Sequence, residues 1–363
     1  MTLPATGVPG DQPHAGVLVE RFDGIVCDLD GVVYRGSEAV PYAVESLSLA
    51  LSAGVRVIYA TNNASRTPAE ISAHLNTLGL VGLPSRVVTS AQAGADLVAR
   101  GCPPGSLVLA VGGQGVSLAL EEAGLRPVLV QAPRPAPQVV AVLQGFGTKV
   151  AWTDLAEIAH AVQAGALWVA TNIDSTLPTE WGVAPGNGAL VGAVRSAVKV
   201  DPVVVGKPHR PLFDLSALAL GTGSGRTLVI GDRLDTDIMG AANTGMASLF
   251  VLGGVHGWSD VAEATLAARP RYVATDLRSL HSAYADPVLD LASSRWVCGG
   301  AHAYVSAGGD LVVSPAGALN ERLRAALMAL WRAADVRGGP IDPRRGDGAA
   351  LSLELDAAAA QGR

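Results

Sequence analysis

Short apolar, β-branched runs alternate with longer amphipathic stretches along most of this chain. The pattern predicts strands at residues 24–29 and 55–60 and helices at 41–53 and 67–79. Thr67 is followed by proline and, three positions on, by Glu70, which is the spacing of a capping box at a helix start. Strand–helix alternation of this kind predicts a parallel sheet with helices on both faces.

Residues 95–200 repeat the same rhythm, and we interpret them as a second α/β unit inserted into the first. Turn-forming residues flank this stretch, at 101–105 and at Asp201-Pro202. The predicted elements are strands at 107–111, 138–143 and 167–170 and helices at 116–123 and 155–164.

The pattern changes again towards the C-terminus, where the predicted strands are short and close together. Strands are predicted at 295–297, 302–305 and 311–313, and an amphipathic helix at 320–334. From Arg337 onward, Gly, Pro and Arg and then Ala dominate, so we expect this tail to be partly disordered.

The predicted fold class is therefore α/β, with a Rossmann-like, doubly wound parallel-sheet core, an inserted α/β domain and a small C-terminal α+β module. The predicted boundaries are a flexible N-terminus at 1–19, a core at 20–94 and 201–287, an insert at 95–200 and a module at 288–363.

Acidic residues gather where predicted strands end. Asp28 and Asp30 follow one apolar run, and Asp232 follows another. Because parallel strands end at a common edge where ligands bind, these residues predict a hard cation held by oxygen ligands, most simply Mg²⁺. Any one of these aspartates alone is more often a helix N-cap or a turn residue.

This arrangement suits hydrolysis of a phosphate monoester. Asp28 is the candidate nucleophile, and Asp30 the candidate acid that protonates the leaving oxygen and then activates water. The metal ligands would be the Asp28 carboxylate, the Asp30 backbone carbonyl and Asp232.

Two further segments offer groups for a phosphoryl oxygen. Thr61, Asn62 and Asn63 end the second predicted strand and supply a hydroxyl and amides, although such a loop is often an ordinary Asx turn. Lys207 supplies a compact cation, although a lone lysine is usually a solvated surface residue.

The composition and net charge exclude some classes of binding partner. The chain has 26 Lys and Arg against 32 Asp and Glu, and this formal net charge of −6 argues against nucleic acid or an anionic membrane as partner. The three cysteines have no metal-ligand spacing, and no apolar stretch is long enough to span a membrane. We expect a cytoplasmic protein with reduced thiols.

Together, the segments around Asp28, Thr61, Lys207 and Asp232 resemble the four ordered motifs of the haloacid dehalogenase superfamily. More narrowly they resemble its subclass IIA phosphatases, which include phosphoglycolate/glycerol-3-phosphate, pyridoxal phosphate and nitrophenylphosphatase-like enzymes. The resemblance implies that Thr61 and Lys207 stabilise the phosphoryl group, and that Asp237 orients metal-bound water. Asp235 is a weaker candidate for that role.

The insert at 95–200 then resembles a C2-type cap, whose Asp174 belongs to a substrate-facing stretch. The subclass implies a small phosphorylated metabolite as substrate, and we select glycerol 3-phosphate first, or 2-phosphoglycolate. Pyridoxal phosphate, nucleotides and sugar phosphates stay open. Caps of this subclass often pair two subunits, so a homodimer through the cap is also expected.

Other functions have weaker support. The glycines at 112–115 and 186–192 lack the full dinucleotide-binding fingerprint. A sugar phosphomutase of the same superfamily would carry its insert between the first two motifs, where no room exists. A non-catalytic regulator that binds a metabolite through the C-terminal module is the alternative from a different functional class.

Overall fold

The computed structural model describes residues 16–81, 83–130, 138–179 and 181–360. The expected flexible N-terminus falls mostly outside this range, but its last residues do not behave as predicted. Leu18 and Val19 are buried in a 3₁₀ turn, Leu18–Arg21, against the first sheet. Within the described ranges no helix is long and apolar enough to cross a membrane.

The first part of the core runs to residue 101. Its elements are β1 (Gly24–Cys27), β2 (Tyr34–Arg35), β3 (Glu38–Ala39), α1 (Ala43–Ser52), β4 (Arg56–Thr61), α2 (Pro68–Thr77), β5 (Val87–Thr89) and α3 (Ser90–Gly101). The Thr67–Glu70 capping box is present at the start of α2, as predicted. A second box, Thr89 with Gln92, starts α3. This helix crosses the predicted boundary after residue 94.

A second sheet is built between residues 107 and 204. Its elements are β6 (Leu107–Val111), α4 (Gln114–Glu122), β7 (Arg126–Val128), β8 (Ala141–Gln144), α5 (Trp152–Gln163), β9 (Leu167–Ala170), β10 (Thr176–Thr179), β11 (Gly182–Pro185), α6 (Asn187–Arg195) and β12 (Val203–Val204). Five strands form a parallel sheet in the order β12-β9-β8-β6-β7, and β10 and β11 form a separate hairpin. Because β12 pairs with β9, the insert extends past its predicted end at 200.

The chain then returns to the core. It adds α7 (Arg210–Leu220), β13 (Thr227–Gly231), a π-helical turn (Leu234–Ile238), α8 (Met239–Thr244), β14 (Ala247–Val251), α9 (Trp258–Ala262) and β15 (Tyr272–Ala274). The finished core sheet has six parallel strands in the order β15-β14-β13-β1-β4-β5, with both faces covered, as the alternation predicted. In register, Cys27 lies beside Tyr59 of β4 and Ile230 of β13, so these three strands end within two residues of one another at the same edge.

The C-terminal part forms an antiparallel sheet with two helices. The elements are β16 (Val288–Asp290), β17 (Arg295–Cys298), β18 (Ala301–Val305), β19 (Leu311–Val313), α10 (Leu319–Arg337) and α11 (Gly348–Ala360). The predicted strands and the α10 helix are confirmed. The expectation of a partly disordered tail is wrong for α11, because Leu351 and Leu355 are buried in a hydrophobic cluster.

That cluster joins the module to the core. Leu323, Leu327 and Leu330 of α10 are buried with Phe250 of β14 and Val261 of α9. Hydrogen bonds cross the same boundary, from the Trp331 indole to the Val261 carbonyl and from the Arg324 Nε to the Val273 carbonyl. The module therefore shares one hydrophobic cluster with β14, α9 and β15 of the core.

Truncation after Pro287 is expected to leave an insoluble or unfolded chain. Burying one large apolar side chain contributes roughly 1.5–3 kcal/mol, so uncovering this cluster exceeds a typical unfolding free energy of about 5–15 kcal/mol. Truncation after Asp347 removes only α11 and should be tolerated better. Circular dichroism melts of both fragments test this, and a stable, cooperative 1–287 fragment would contradict it.

Candidate active site

The ends of β1, β4 and β13 bring three predicted residues to one edge of the core sheet. Asp28 follows β1, Thr61 ends β4, and Asp232 follows β13. All three side chains are buried, with exposures of 8, 3 and 0%. The sequence prediction that these strand ends meet is confirmed, since parallel neighbours in register end at the same edge.

Lys207 lies between two of the acidic side chains. Its Nζ is 2.5 Å from Asp28 Oδ1 and 2.7 Å from Asp237 Oδ1, and it also donates to the Ala60 carbonyl at 3.3 Å. Lys207 is only 6% exposed. A buried ammonium with two carboxylate partners neutralises charge at the point where a phosphoryl dianion would approach Asp28.

Carboxylate oxygens of Asp28, Asp232 and Asp237 all lie within 4.8 Å of one another. One oxygen of Asp232, Oδ2, accepts the Val255 backbone N–H at 2.6 Å, whereas the buried Oδ1 has no hydrogen-bond partner among the described residues. A buried carboxylate oxygen without a donor is costly unless a cation satisfies it. Three clustered carboxylates with one such oxygen therefore fit Mg²⁺, which prefers oxygen ligands.

The carboxylate of Asp232 is held in a tight backbone cradle. A Cβ added at Gly254 would lie 1.8 Å from Asp232 Oδ2, and one added at Gly31 would lie 2.4 Å from the same atom. The loop after Asp30 and the loop after β14 thus approach this carboxylate as closely as backbone allows. Only glycine permits that approach at either position.

Burial and clustering shift the pKa values of these charged groups. Burial raises the pKa of Asp28 to about 6, with Lys207 opposing the rise and Asp232 adding to it. Burial also raises the pKa of Asp232 and of Asp237 to about 6, with added repulsion from Asp237 and from Asp28 respectively. For Lys207, burial acts to lower the pKa, but Asp237 and Asp28 raise it above its ordinary value.

These pKa values predict how pH and Mg²⁺ affect stability. A carboxyl whose pKa is raised on folding stabilises the fold below its unfolded pKa, and that stabilisation is lost as pH rises through the folded pKa, here about 6. In EDTA the melting temperature should therefore fall between pH 5 and pH 7. Mg²⁺ replaces the lost protons, so it should raise the melting temperature more at pH 7.5 than at pH 5.

Differential scanning fluorimetry with EDTA or Mg²⁺ at both pH values measures this difference. In the Asp232→Asn variant the Mg²⁺-dependent rise should largely disappear. An equal or larger Mg²⁺ effect at pH 5 in the unmodified protein would contradict the carboxylate cluster as the binding site.

Asp30 lies at the mouth of the same edge. Its side chain is exposed, yet the surrounding protein removes enough water to raise its pKa, against the opposing charges of Lys207, Arg66 and His74. Its carboxylate is not among the clustered oxygens. The structure thus places Asp30 near the site, outside the carboxylate cluster, and its role as acid and base stays a prediction.

Asn62 connects three parts of the chain. Its Oδ1 accepts the Lys207 backbone N–H at 2.8 Å, and its Nδ2 donates to the Lys207 carbonyl and to Asp174 Oδ2, both at 3.2 Å. Thr61 Oγ1 accepts the backbone N–H of Asn63 at 3.0 Å, which forms the turn that the sequence also allowed. Asn62 therefore fixes the backbone that carries Lys207.

The inserted sheet meets the core at this point. Asn172 Nδ2 donates to the Asn62 carbonyl at 2.8 Å, and Asn187 Nδ2 donates to the Asn172 carbonyl at 2.7 Å. Asp174, the predicted substrate-facing residue, reaches Asn62 directly. These amides were not among the predicted site residues, although Asn172 and Asn187 occur in the same sequence segment as Asp174.

The glycine cluster at 112–115 has a packing role. A Cβ at Gly113 would lie 2.4 Å from the Ser65 carbonyl oxygen, and one at Gly115 would lie 2.5 Å from the Arg66 carbonyl oxygen. The start of α4 thus presses against the loop that follows Thr61. This close approach explains the glycines without a bound dinucleotide.

We expect Gly115→Ala to displace the insert from the core and to lower activity. The added methyl overlaps the Arg66 and Ala64 carbonyl oxygens, and the loop beyond Thr61 would have to shift. Gly192→Ala in α6 is the matched control, since no described residue outside its own helix lies within 4 Å of the added Cβ and alanine favours a helix by up to about 1 kcal/mol. Steady-state rates and melting temperatures of both variants test this, and equal rates would contradict the packing role.

Other charged groups near the site were not predicted. Arg66 lies in the loop after Thr61, and its charge opposes the rise that burial causes in the pKa of Asp30. The only feature in the sequence that could have indicated this role is the charge of Arg66. Asp235, the weaker candidate, is instead paired with Arg233 at 2.8 Å and stays outside the carboxylate cluster.

Family models match two segments of the chain. Residues 25–126 match a haloacid dehalogenase-like hydrolase model, and residues 204–280 match a second hydrolase model of the same kind. The first segment contains Asp28 and Thr61, and the second contains Lys207 and Asp232. Together they supply the residues that meet at the sheet edge.

Similar proteins cover most of the chain. D-glycerol 3-phosphate phosphatase of Mycobacterium tuberculosis is 43% identical over 338 residues, which is 91% of this chain and 92% of that protein. Glycerol-3-phosphate phosphatase of Gallus gallus is 36% identical over 66% of this chain and 83% of its own length. A crystal structure of glycerol phosphate phosphatase from M. tuberculosis in complex with magnesium has a TM-score of 0.76 at 40% identity, covering 87% of this chain and 92% of that one.

Proposed function

This chain belongs to the haloacid dehalogenase-like hydrolases, and we propose that within this family it is a Mg²⁺-dependent phosphatase of glycerol 3-phosphate. One observation carries the chemistry: buried Lys207 joins Asp28 to Asp237 beside a carboxylate oxygen of Asp232 that has no hydrogen-bond partner in the part of the chain that the structure describes. The similarity to two glycerol 3-phosphate phosphatases supports the substrate.

Asp28 is the proposed nucleophile. A carboxylate oxygen of Asp28 attacks phosphorus, the bond from phosphorus to the glycerol oxygen breaks, and an aspartyl-phosphate forms. Lys207 neutralises the phosphoryl oxygens, and Thr61 and Asn63 offer a hydroxyl and an amide towards them. When bound at Asp28, Asp232 and the Asp30 carbonyl, Mg²⁺ supplies positive charge that offsets the dianion's repulsion of Asp28.

Asp30 is the proposed acid and base. Its raised pKa keeps a larger fraction of its carboxyl protonated near neutral pH, so it can donate that proton to the departing alkoxide. The resulting carboxylate then takes a proton from water, which attacks phosphorus and releases inorganic phosphate. This second step restores Asp28 as a carboxylate.

The structure supports an additional role for Asp237. The resemblance implied only that Asp237 orients metal-bound water, but its carboxylate lies in the cluster and contacts Lys207 directly. We propose that Asp237 holds the ammonium in place against Asp28. The Asp237 Oδ2 accepts the Arg233 backbone N–H at 3.2 Å, which anchors the carboxylate in turn.

Phosphate release from a panel of esters tests the substrate. We expect kcat/KM for glycerol 3-phosphate to exceed that for 2-phosphoglycolate, pyridoxal phosphate, adenosine 5′-monophosphate and a sugar phosphate by about tenfold or more, about 1.4 kcal/mol in transition-state binding. A higher kcat/KM for another ester would assign a different substrate, but it would not contradict the proposed phosphatase chemistry. Mg²⁺-independent release would contradict the chemistry itself.

Assembly and location are further parts of the proposal. We propose a homodimer that pairs through the inserted domain, which exposes Trp152, Trp181 and Val183. We also propose a cytoplasmic location, supported by three free cysteines, Cys27, Cys102 and Cys298. Light scattering of the protein and of Trp181→Glu tests the pairing, and a monomeric mass for the unmodified protein would exclude it.

A further inference from the structure

Two adjacent cavities lie in the C-terminal part of the molecule, away from Asp28. One, of about 480 Å³, lies between the core edge near Val273 and α10. The other, of about 650 Å³, lies between α10 and the strands β17 and β18. Both volumes fall in the range of small-molecule sites, and the side chains of Trp296 and Arg332 line both cavities.

The two cavities are basic although the whole chain is acidic. Six arginines line them, against two aspartates, whereas the chain as a whole has a net charge of −6. The arginines are Arg269, Arg271, Arg295, Arg324, Arg332 and Arg337. Both aspartates are already paired, Asp335 with Arg269 at 2.7 Å and Asp286 with Arg271 at 2.8 Å. Arg332 also acts on Asp335, and Arg295 acts on Asp290, but six arginines against two lining aspartates still leave the cavities with a net positive charge.

Arg324 is a buried arginine that lines one of the cavities. It is 6% exposed and lines the smaller cavity, its Nε donates to the Val273 carbonyl at 3.0 Å, and its side chain also donates to the Cys298 sulfur. Its guanidinium lies 3.6 Å from the ring centre of Tyr284. Among the described residues Arg324 has no carboxylate partner, so its charge is open to pairing with an anion that enters this cavity.

Arg332 adds a second guanidinium group, in the part of the lining that the two cavities share. Its side chain is exposed, lines both cavities and lies near enough to Asp335 to act on its charge. Trp296 lies beside it and presents a partly exposed indole to both cavities. A guanidinium pair suits a phosphate, because each guanidinium can donate two parallel hydrogen bonds, and an indole suits a planar ring.

We propose that these cavities form a second ligand site, distinct from the phosphatase site, that binds a small molecule carrying a phosphate and a planar ring, such as a mononucleotide. The phosphate binds Arg324 and Arg332, and the ring packs against Trp296. Since α10 and Arg324 contact β15 of the core, a ligand there also contacts the element that completes the core sheet.

Isothermal titration of the full-length protein with adenosine 5′-monophosphate in EDTA tests this site, since the catalytic cation is then absent. We expect saturable binding that Arg332→Gln and Arg324→Lys each weaken by about 10-fold or more, as the loss of a charge-assisted hydrogen bond predicts. Arg322→Gln is the matched control, because Arg322 lies on the same helix but pairs with Glu354 outside the cavities. It should bind as the unmodified protein does.

Two further probes separate the contributions of the phosphate and the ring. Adenosine and ribose 5-phosphate should each bind more weakly than adenosine 5′-monophosphate. Binding that is absent, that is unchanged in Arg332→Gln and Arg324→Lys, or that is lost in Lys207→Met instead would overturn the proposal. A change in molecular mass on Arg332→Gln would also overturn it, because the cavities would then be covered by a second copy of the chain.

Discussion

Asp28→Asn is expected to reduce turnover of glycerol 3-phosphate by at least about 10⁴-fold, which corresponds to about 5.5 kcal/mol in the activation barrier. The amide has the shape of the carboxylate but is a far weaker nucleophile, so the aspartyl-phosphate cannot form. The measurement is the initial rate of phosphate release with saturating Mg²⁺.

The fold should survive this substitution. Burial raises the pKa of Asp28, so the ionised carboxylate is itself destabilising in the absence of Mg²⁺. A neutral amide removes that cost, while Lys207 keeps its contact with Asp237. A melting temperature close to that of the unmodified protein, together with the lost rate, separates catalysis from folding. Retained turnover would remove Asp28 from the role of nucleophile.

Lys207→Met is expected to lower both activity and stability. Loss of the ammonium removes the charge that faces the phosphoryl oxygens, which should lower kcat by roughly 10²–10³-fold. It also leaves Asp28 and Asp237 buried without their shared partner, which costs about 3–5 kcal/mol. Protonation of these carboxyls relieves the repulsion, so the loss of stability should be larger at pH 8 than at pH 5.

Urea unfolding at both pH values measures that difference, and phosphate release measures the rate. Lys199→Met is the matched control, because Lys199 is exposed on the insert and should change neither quantity. A pH-independent loss of stability in Lys207→Met would mean that packing, and not charge pairing, is what Lys207 contributes.

The central residues of the site were predictable because a simple rule connects sequence to position. Asp28, Thr61 and Asp232 each follow an apolar strand, and parallel strands in register end at one edge. Lys207 was found from its position among the ordered motifs. Nothing in its local sequence indicated that it is buried between two carboxylates.

Asp237 shows where sequence spacing was insufficient. It lies five residues after Asp232, a spacing that neither the helical nor the strand period places on one side. The π-helical turn at Leu234–Ile238 changes that, with the Ile238 N–H bonded to the Arg233 carbonyl. This turn brings the Asp237 carboxylate back beneath the strand end, beside Asp28.

The boundaries failed where small residues conceal a packed surface. Helix α3 is rich in Ala and Gly, and a Cβ at Gly94 would lie 2.4 Å from the Leu143 side chain of β8. A helix whose apolar and polar faces differ little in sequence is hard to distinguish from a linker, even though it packs closely on the insert. Helix α11 is similar, since its alanine-rich sequence indicated disorder while Leu351 and Leu355 are buried. The basic cavities of the C-terminal part were equally hidden, because their arginines come from separate elements.

The most direct test of the account is to trap the covalent intermediate. The protein is mixed with ³²P-labelled glycerol 3-phosphate and Mg²⁺, quenched in acid within one turnover and digested, and the labelled peptide is sequenced. We predict hydroxylamine-labile label on the peptide that contains Asp28, no label with EDTA and none in Asp28→Asn. Rapid phosphate release without protein-bound label, or label on a different residue, would contradict Asp28 as the nucleophile.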